Sequence, residues 1–354
     1  MALVIKRNEL LIGAKQDTNF YFIKGDIKMK KTKLLTLLPL MLTPFMMTGC
    51  SNESTDIGIL QFGEFAALDN AREGFIQGLK DAGFGDLKID VQNAKAIAAT
   101  NSTLAKGMAS KKHKLNLAIA TPCATALKAA QENIGSTTPL LFTAVTDPVG
   151  AGLLKDNNAP DGFVTGTSDL QPEEALGNQI KLTKKMIPDA KKLGIFYCAN
   201  EQNSRVQAEM AEEVAKTEGL EVVTKTCVDQ FTIKTNIAEL AAEVDAIWIP
   251  TDNTVASNMA KVKDGLGQNK TLVIVGEEGM LDGGQVTVSI SYYDLGVKTA
   301  ELAAKILKGT AVKDIPVFFN TADTCSYTFS KKNLEDAGFK TEDLPSEFPW
   351  KEAK

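Results

Sequence analysis

Four short stretches place polar residues where a small molecule can be held: "ATPCATA" (120–126), "TAVTDP" (143–148), "PTDN" (250–253) and "GEEGM" (276–280). Each follows an apolar run and stands before a segment with helical spacing, so its hydroxyls and carboxylates gather at a strand end or a helix start. That chemistry suits noncovalent recognition: helix-start amides and hydroxyls hold an anion, and a buried carboxylate must meet a cation. Strand-end and N-cap roles are the structural alternative for the same residues. Bond-making chemistry has little to work with. The one histidine, His113, sits in "KKHK" on an expected exposed helix end, and there is no GxSxG elbow, P-loop or GxGxxG after the first strand.

The elements that position these stretches begin after an unusual leader. "MKKTKLLTLLPLMLTPFMMTGCSNES" starts at Met29, with three lysines, a 14-residue apolar run from Leu34 to Met47 and small residues before Cys50. The run is shorter than the ~20 residues of a membrane-spanning helix and carries Pro39 and Pro44. It reads as an export signal. "MTGC" resembles a bacterial lipobox with Cys50 as lipid acceptor, Met47 standing where Leu is usual. Residues 1–28, with Glu9, Asp17 and Asp26, are expected to be a misassigned upstream extension, residues 29–49 the signal peptide and 50–55 a lipid-anchored linker.

Residues 1–49 hold eight Lys/Arg and three Asp/Glu, so their loss takes the formal charge from −5 to −10. Only Arg72 and Arg205 remain as arginines. An acidic chain lacks the footprint for nucleic-acid phosphates. About 300 residues exceed what one core usually serves, which favours two domains. Beyond Cys50 there are four cysteines, none in CxxC or zinc-type spacing, so no metal and no cofactor are expected. Cys198 and Cys227 end two expected neighbouring strands. They are the favoured disulfide pair, with free buried thiols the alternative.

From Asp56 short apolar runs alternate with amphipathic ones. "DIGILQ", "LKIDVQ", "LNLAIA" and "PLLFTAV" read as strands between helices, and the rhythm restarts after "VTGTSD" with helices 173–186, 204–218, 233–243 and 254–264 between strands. Near-continuous apolar strands alternating with helices imply parallel sheets covered on both faces. The expected fold is therefore α/β, two doubly wound parallel-sheet lobes. "LNLAIATPCATALKAA" and "VDAIWIPTDNTVASNMAKV" echo each other, so two strand-end edges face across a cleft, the edge where open α/β sheets take ligands.

"ALDNAREGFIQGL", "IATPCATA", "FTAVTDPVGAGL", "VTGTSD", "PTDNTVAS", "GEEGM" and "YYDLG", in this order, resemble the substrate-binding lipoproteins of ABC transporters with the type 1 periplasmic-binding-protein fold. Some of these bind tryptophan or phenylalanine. The resemblance spans Asp56 to Pro316. It implies a hinge of three crossovers near 167, 291 and 320, with lobe 1 from 56–166 and 292–319, lobe 2 from 167–291 and 320–345, and a tail at 346–354. It also implies no catalysis, a monomer, a location outside the cytoplasm, and an ABC permease with its ATPase as partners. The membrane is reached only through the lipid on Cys50.

An amino-acid α-carboxylate wants helix-start amides and hydroxyls. Thr121 and the amides of Cys123 and Ala124 offer these, with Pro122 between them, together with Thr143, Ala144 and Thr146 on the other first-lobe turn. The "GEEGM" turn points to Glu278 as the partner of the ammonium. Asp252 is the competitor, with Asn253 beside it, and its other role is an N-cap. Phe62 is the favoured aromatic contact over Phe65, Tyr197 and Tyr292. Glu64 meets a polar group or closes the lobes, Asn203 and Ser204 are second-lobe contacts or caps, and Asp294 caps its helix. A sensing lipoprotein that signals to a membrane partner, or a binder of a purine or a sugar, is the alternative.

Overall fold

The computed structural model describes residues 55–353, so the leader and Cys50 lie outside the described residues. The first sheet is built by β1 (Ile57–Gln61), α1 (Ala66–Leu79), β2 (Ile89–Asn93), α2 (Ala98–Ala109), β3 (Leu115–Ile119), α3 (Thr121–Asn133), β4 (Leu140–Thr143) and β5 (Val164–Gly166). Its strand order is β2-β1-β3-β4-β5 and every pair is parallel. All five residues of β1 and of β3 are buried, as a strand covered on both faces requires. Each apolar side chain so buried stabilises the lobe by about 1.5–3 kcal/mol before entropy is counted.

The chain then forms α4 (Glu173–Met186), β6 (Lys192–Cys198), α5 (Gln202–Thr217), β7 (Glu221–Cys227), α6 (Ile233–Ala241) and β8 (Ala246–Ile249). After these come α7 (Asn253–Ala256), α8 (Met259–Leu266), β9 (Leu272–Val275), β10 (Val286–Ser289) and α9 (Tyr292–Leu307). The last elements are β11 (Ser326–Phe329), α10 (Lys331–Asp336) and β12 (Trp350–Glu352). The second sheet has the order β12-β11-β10-β9-β8-β6-β7, with β11 antiparallel to β10. Separate apolar clusters cover its two faces. Trp248, fully buried in one of them, donates its indole N–H to Gln179 Oε1 at 2.7 Å.

Three passages connect the lobes. Thr167 bridges Phe318, Ser168 donates to the Phe318 carbonyl at 2.8 Å, and the third passage runs from β10 through Ile290 into α9. Helix α9 returns to the first lobe and packs on α1 backbone to backbone. A Cβ at Gly74 would lie 2.0 Å from the Tyr293 carbonyl oxygen, and one at Gly296 would lie 2.1 Å from that of Ala71. The two helices approach this closely only because those positions lack side chains.

Two local expectations are corrected. The helix expected over 254–264 breaks at Ser257–Asn258, where Ser257 Oγ donates to Asn253 O (2.7 Å) and Asn258 Nδ2 to Thr254 O (2.8 Å). Such side chains compete with the helical ladder. His113 is buried, not solvated. Its Nδ1 bonds Asn116 Oδ1 at 2.7 Å and its Nε2 bonds Thr55 Oγ1 at 2.9 Å. The glycine at 58 makes room for the ring, since a Cβ there would sit 2.4 Å from Nδ1.

Candidate ligand-binding site

The segments that follow β1 and β4 meet those that follow β6, β8 and β9 around a small cavity of about 20 Å³. That is room for roughly one water molecule. The first lobe supplies Phe65, Ala67, Leu68 and Ala144, and the second supplies Asn203, Thr251, Asp252, Asn253, Ala256 and Glu277. Asp169 and Tyr292 come from the passages between them. The lobes also touch beside the cavity. Gln202 Nε2 donates to Asp147 Oδ2 (3.1 Å), and Gln207 Nε2 approaches Thr146 Oγ1 at 3.5 Å.

Backbone strain collects on the first lobe's side of this edge. The described non-glycine residues with positive φ are Lys95 (54°), Ala96 (55°), Ala120 (83°) and Ala144 (55°). All four stand within three residues of the carboxyl ends of β2, β3 or β4. Such conformations cost about 1–3 kcal/mol each and persist where the surroundings dictate them.

Among the described residues three carboxyl groups line the cavity, and no Lys, Arg or His does. Asp169 accepts from Thr146 Oγ1 (2.9 Å) and from the Tyr292 hydroxyl (2.8 Å), and burial raises its pKa. Asp252 accepts from the amides of Val255 (2.8 Å) and Cys198 (2.7 Å). Burial, reinforced by Glu201, pushes it well above the usual carboxylate range. Glu277 differs, because its Oε2 accepts from the Gly279 amide at 2.6 Å while its buried Oε1 has no partner. Burial pushes its pKa up to about 7, and the charges of Glu278 and Asp282 add to that. Behind the cavity Glu201 fastens the start of α7, accepting from Asn253 N (3.0 Å) and Nδ2 (2.7 Å) and from Thr254 N and Oγ1 (both 2.7 Å).

The residues expected from sequence divide clearly. Ala144, Asn203, Asp252 and Asn253 line the cavity, and Thr146 orders Asp169 at its wall. Asp252 is the N-cap of α7, the alternative weighed for it. Asn203 donates to the Thr251 carbonyl at 2.9 Å and keeps Oδ1 unpartnered, with Ser204 fully buried beside it. Thr121 opens α3, buried with a partnerless hydroxyl, and Pro122 accepts from Asn101 at 2.8 Å. The amides of Cys123 and Ala124 are not offered to a ligand, because both donate to the Ala120 carbonyl (3.0 and 3.1 Å) as α3 tightens its first turn. The Cys123 thiol points into the first-lobe core, 3.1 Å from Asn101 Oδ1. Thr143 is fully buried and accepts from Thr167 Oγ1 at 3.0 Å.

Other placements are corrections. Phe62 belongs to the first-lobe core, and Phe65, at the N-cap of α1, lines the cavity in its place. Glu64 is exposed and paired with Lys95. Glu278 is exposed, because Glu277 caps the 3-10 turn that follows β9, and the next residue faces outward. Ser291 caps α9 by accepting from the Asp294 amide at 3.2 Å, and Asp294 lies in the first turn. Tyr197 packs against the second-lobe core. Cys198 and Cys227 need no correction: they are register partners whose buried, free thiols touch, the alternative weighed for the pair. Sequence reasoning passed over Asp169, Glu201, Gln207 and Thr251. Asp169 closes the "VTGTSD" stretch already singled out, whereas Glu201 and Gln207 lie on an ordinary amphipathic helix start and gave no signal.

Known proteins share this architecture. A tyrosine-binding protein from Clostridioides difficile (strain R20291) is 38% identical over 309 residues, which cover 81% of this chain and 88% of that protein. An ABC domain from Streptococcus pneumoniae solved in complex with L-Trp is 32% identical, covering 83% of this chain and 99% of that one with a TM-score of 0.77. A ligand-free, open substrate-binding protein with adhesive properties from Clostridium difficile is 36% identical, covering 85% and 100% with a TM-score of 0.63. The family model described as ABC transporter substrate binding protein matches residues 56–346, and the chain, two parallel-sheet lobes closed on a polar cavity, belongs to that family.

Proposed function

We propose that this protein captures an aromatic L-amino acid between its lobes and delivers it to an ABC permease. One observation carries the reading: a carboxyl oxygen of Glu277 is buried and unpartnered in a cavity lined by acids and no basic side chain. A buried carboxylate in such a place calls for a cation, and the α-ammonium supplies one. Asn203 Oδ1, also unpartnered, gives it a second acceptor. The carboxylate end turns to the first lobe, where α3 begins with the buried, unpartnered Thr121 hydroxyl. Phe65 and Tyr292 form the aromatic walls, which suit a flat apolar side chain. The tryptophan complex and the tyrosine-binding relative support the aromatic class.

Capture proceeds by parting and closing of the lobes about the three passages. The small cavity, and the greater likeness to the tryptophan complex than to the open, ligand-free relative, support a closed arrangement here. Cys50 carries the lipid that keeps the protein near its permease, and Cys50→Ser is expected to lose lipid labelling. Calorimetry against the twenty amino acids tests the ligand. Tyrosine, tryptophan or phenylalanine is expected to bind far more tightly than aliphatic or charged ones. Tight binding of a sugar or purine, with none of an amino acid, would overturn the reading.

A further inference from the structure

We propose that capture of the ligand's ammonium at Glu277 expels one proton, which leaves through an acidic groove on the outer side of that residue. This rests on the amino-acid reading above. Glu277 lines the small interlobe cavity and also a groove of about 360 Å³ that Glu278 and Asp282 border. It therefore stands between the bound solute and solvent, buried at 3% exposure, with one oxygen bonded and one bare.

The groups that face it decide its charge. Its own turn presents Glu278 and Asp282, and α9 presents Tyr292 and Tyr293. The first passage brings Asp169 and the start of α7 brings Asp252, while α1 offers Ala66, Ala67, Leu68 and Asn70, none of them charged. Ser330 and Ala353 complete the groove without a charge. Among the described residues no Lys, Arg or His lines either space. The Gly279 amide favours the ionised form, but burial outweighs it and no cationic side chain helps, so the pKa stands up at about 7.

An ammonium entering the cavity is the missing counter-charge. The carboxyl O–H bond breaks, its electron pair stays on oxygen as the carboxylate that faces the ammonium, and the proton passes to water in the groove. Charge is conserved: one cation enters and one proton leaves. Affinity then rises about tenfold per pH unit below 7 and levels off above it, since each bound ligand displaces one proton.

Calorimetry of the intact protein with L-tryptophan and L-tyrosine, in buffers of low and high ionisation enthalpy, tests this between pH 5.5 and 8.5. Near pH 6 the buffer dependence is expected to give close to one proton released per ligand, about half at pH 7, and close to none at pH 8.5. Glu277→Gln is expected to remove both the proton release and the pH dependence, with a thermal melt confirming that it folds. Glu278→Gln, outside the cavity, is expected to keep the release and move its midpoint to lower pH. Tight binding with equal heats in all buffers and a pH-flat affinity would overturn the coupling while leaving the amino-acid reading intact. If neither probe binds at any pH, both fall.

Discussion

Gln202 Nε2 reaches across the cleft to Asp147 Oδ2 at 3.1 Å, joining the start of α5 in the second lobe to the turn after β4 in the first. Both side chains are half-buried, and parting of the lobes would break this bond. A hydrogen bond of this kind contributes about 0.5–1.5 kcal/mol. Asp147→Ala is therefore expected to weaken ligand binding about two- to tenfold through faster dissociation, with no change in ligand-free melting temperature. Stopped-flow fluorescence checks the rate, and an unchanged dissociation rate would rule out a latch.

Three acidic substitutions separate the roles at the cavity. Glu277→Ala leaves the ammonium buried and unpaired, a loss of about 2–5 kcal/mol, or some 30-fold to several thousand-fold in affinity. Glu278→Ala, on the exposed side of the same turn, is expected to change affinity less than threefold. Asp252→Ala strips acceptors from the Val255 and Cys198 amides and is expected to cost about 2–4 kcal/mol of stability. Titration calorimetry beside chemical denaturation distinguishes these outcomes.

The buried acids also set a pH dependence of stability. Glu277 rises from 4.5 in the unfolded chain to about 7 when folded. Between those values the native state binds more protons than the unfolded one, so stability falls as pH rises, by up to about 3 kcal/mol from this group. Asp169 and Asp252 shift in the same direction. The ligand-free protein is expected to melt higher at pH 5.5 than at pH 7.5, and Glu277→Gln to flatten that difference. A melting temperature that rises over this interval would contradict the assignment.

Cys198 and Cys227 sit in register on neighbouring parallel strands, whose spacing of about 4.8 Å lies within reach of a disulfide. Protein oxidised outside the cytoplasm is expected to become two hydrogens lighter, with peptide mapping joining these two cysteines and neither Cys123 nor Cys325. Closing that loop would stabilise the fold by about 3–4 kcal/mol. Mapping that finds all four thiols alkylated after oxidation would rule the bridge out.

The alternation of apolar runs and helices made the two-lobed fold legible, and helix 173–186 matches its expected limits. Strand-end positions gave Ala144, Asn203, Asp252 and Asn253 as cavity residues for the same reason. What the sequence hid was direction. Strands buried on both faces carry no alternation to say which way the next residues point, so Phe62 could not be told from Phe65, nor Glu278 from Glu277. Helix-start amides looked free until α3 closed on the Ala120 carbonyl. His113 looked solvated because the space left by Gly58 has no signature in the sequence around it.

The glycine-lined contact of α1 with α9 has a consequence for assembly. Residues near 74 meet residues near 296, so the first lobe is completed by a helix made after almost all of the second. The second lobe in turn waits for β11 and β12 at the end of the chain. Contacts this distant in sequence close late and slowly. A chain growing from its N-terminus therefore holds neither finished lobe until its last fifth has emerged.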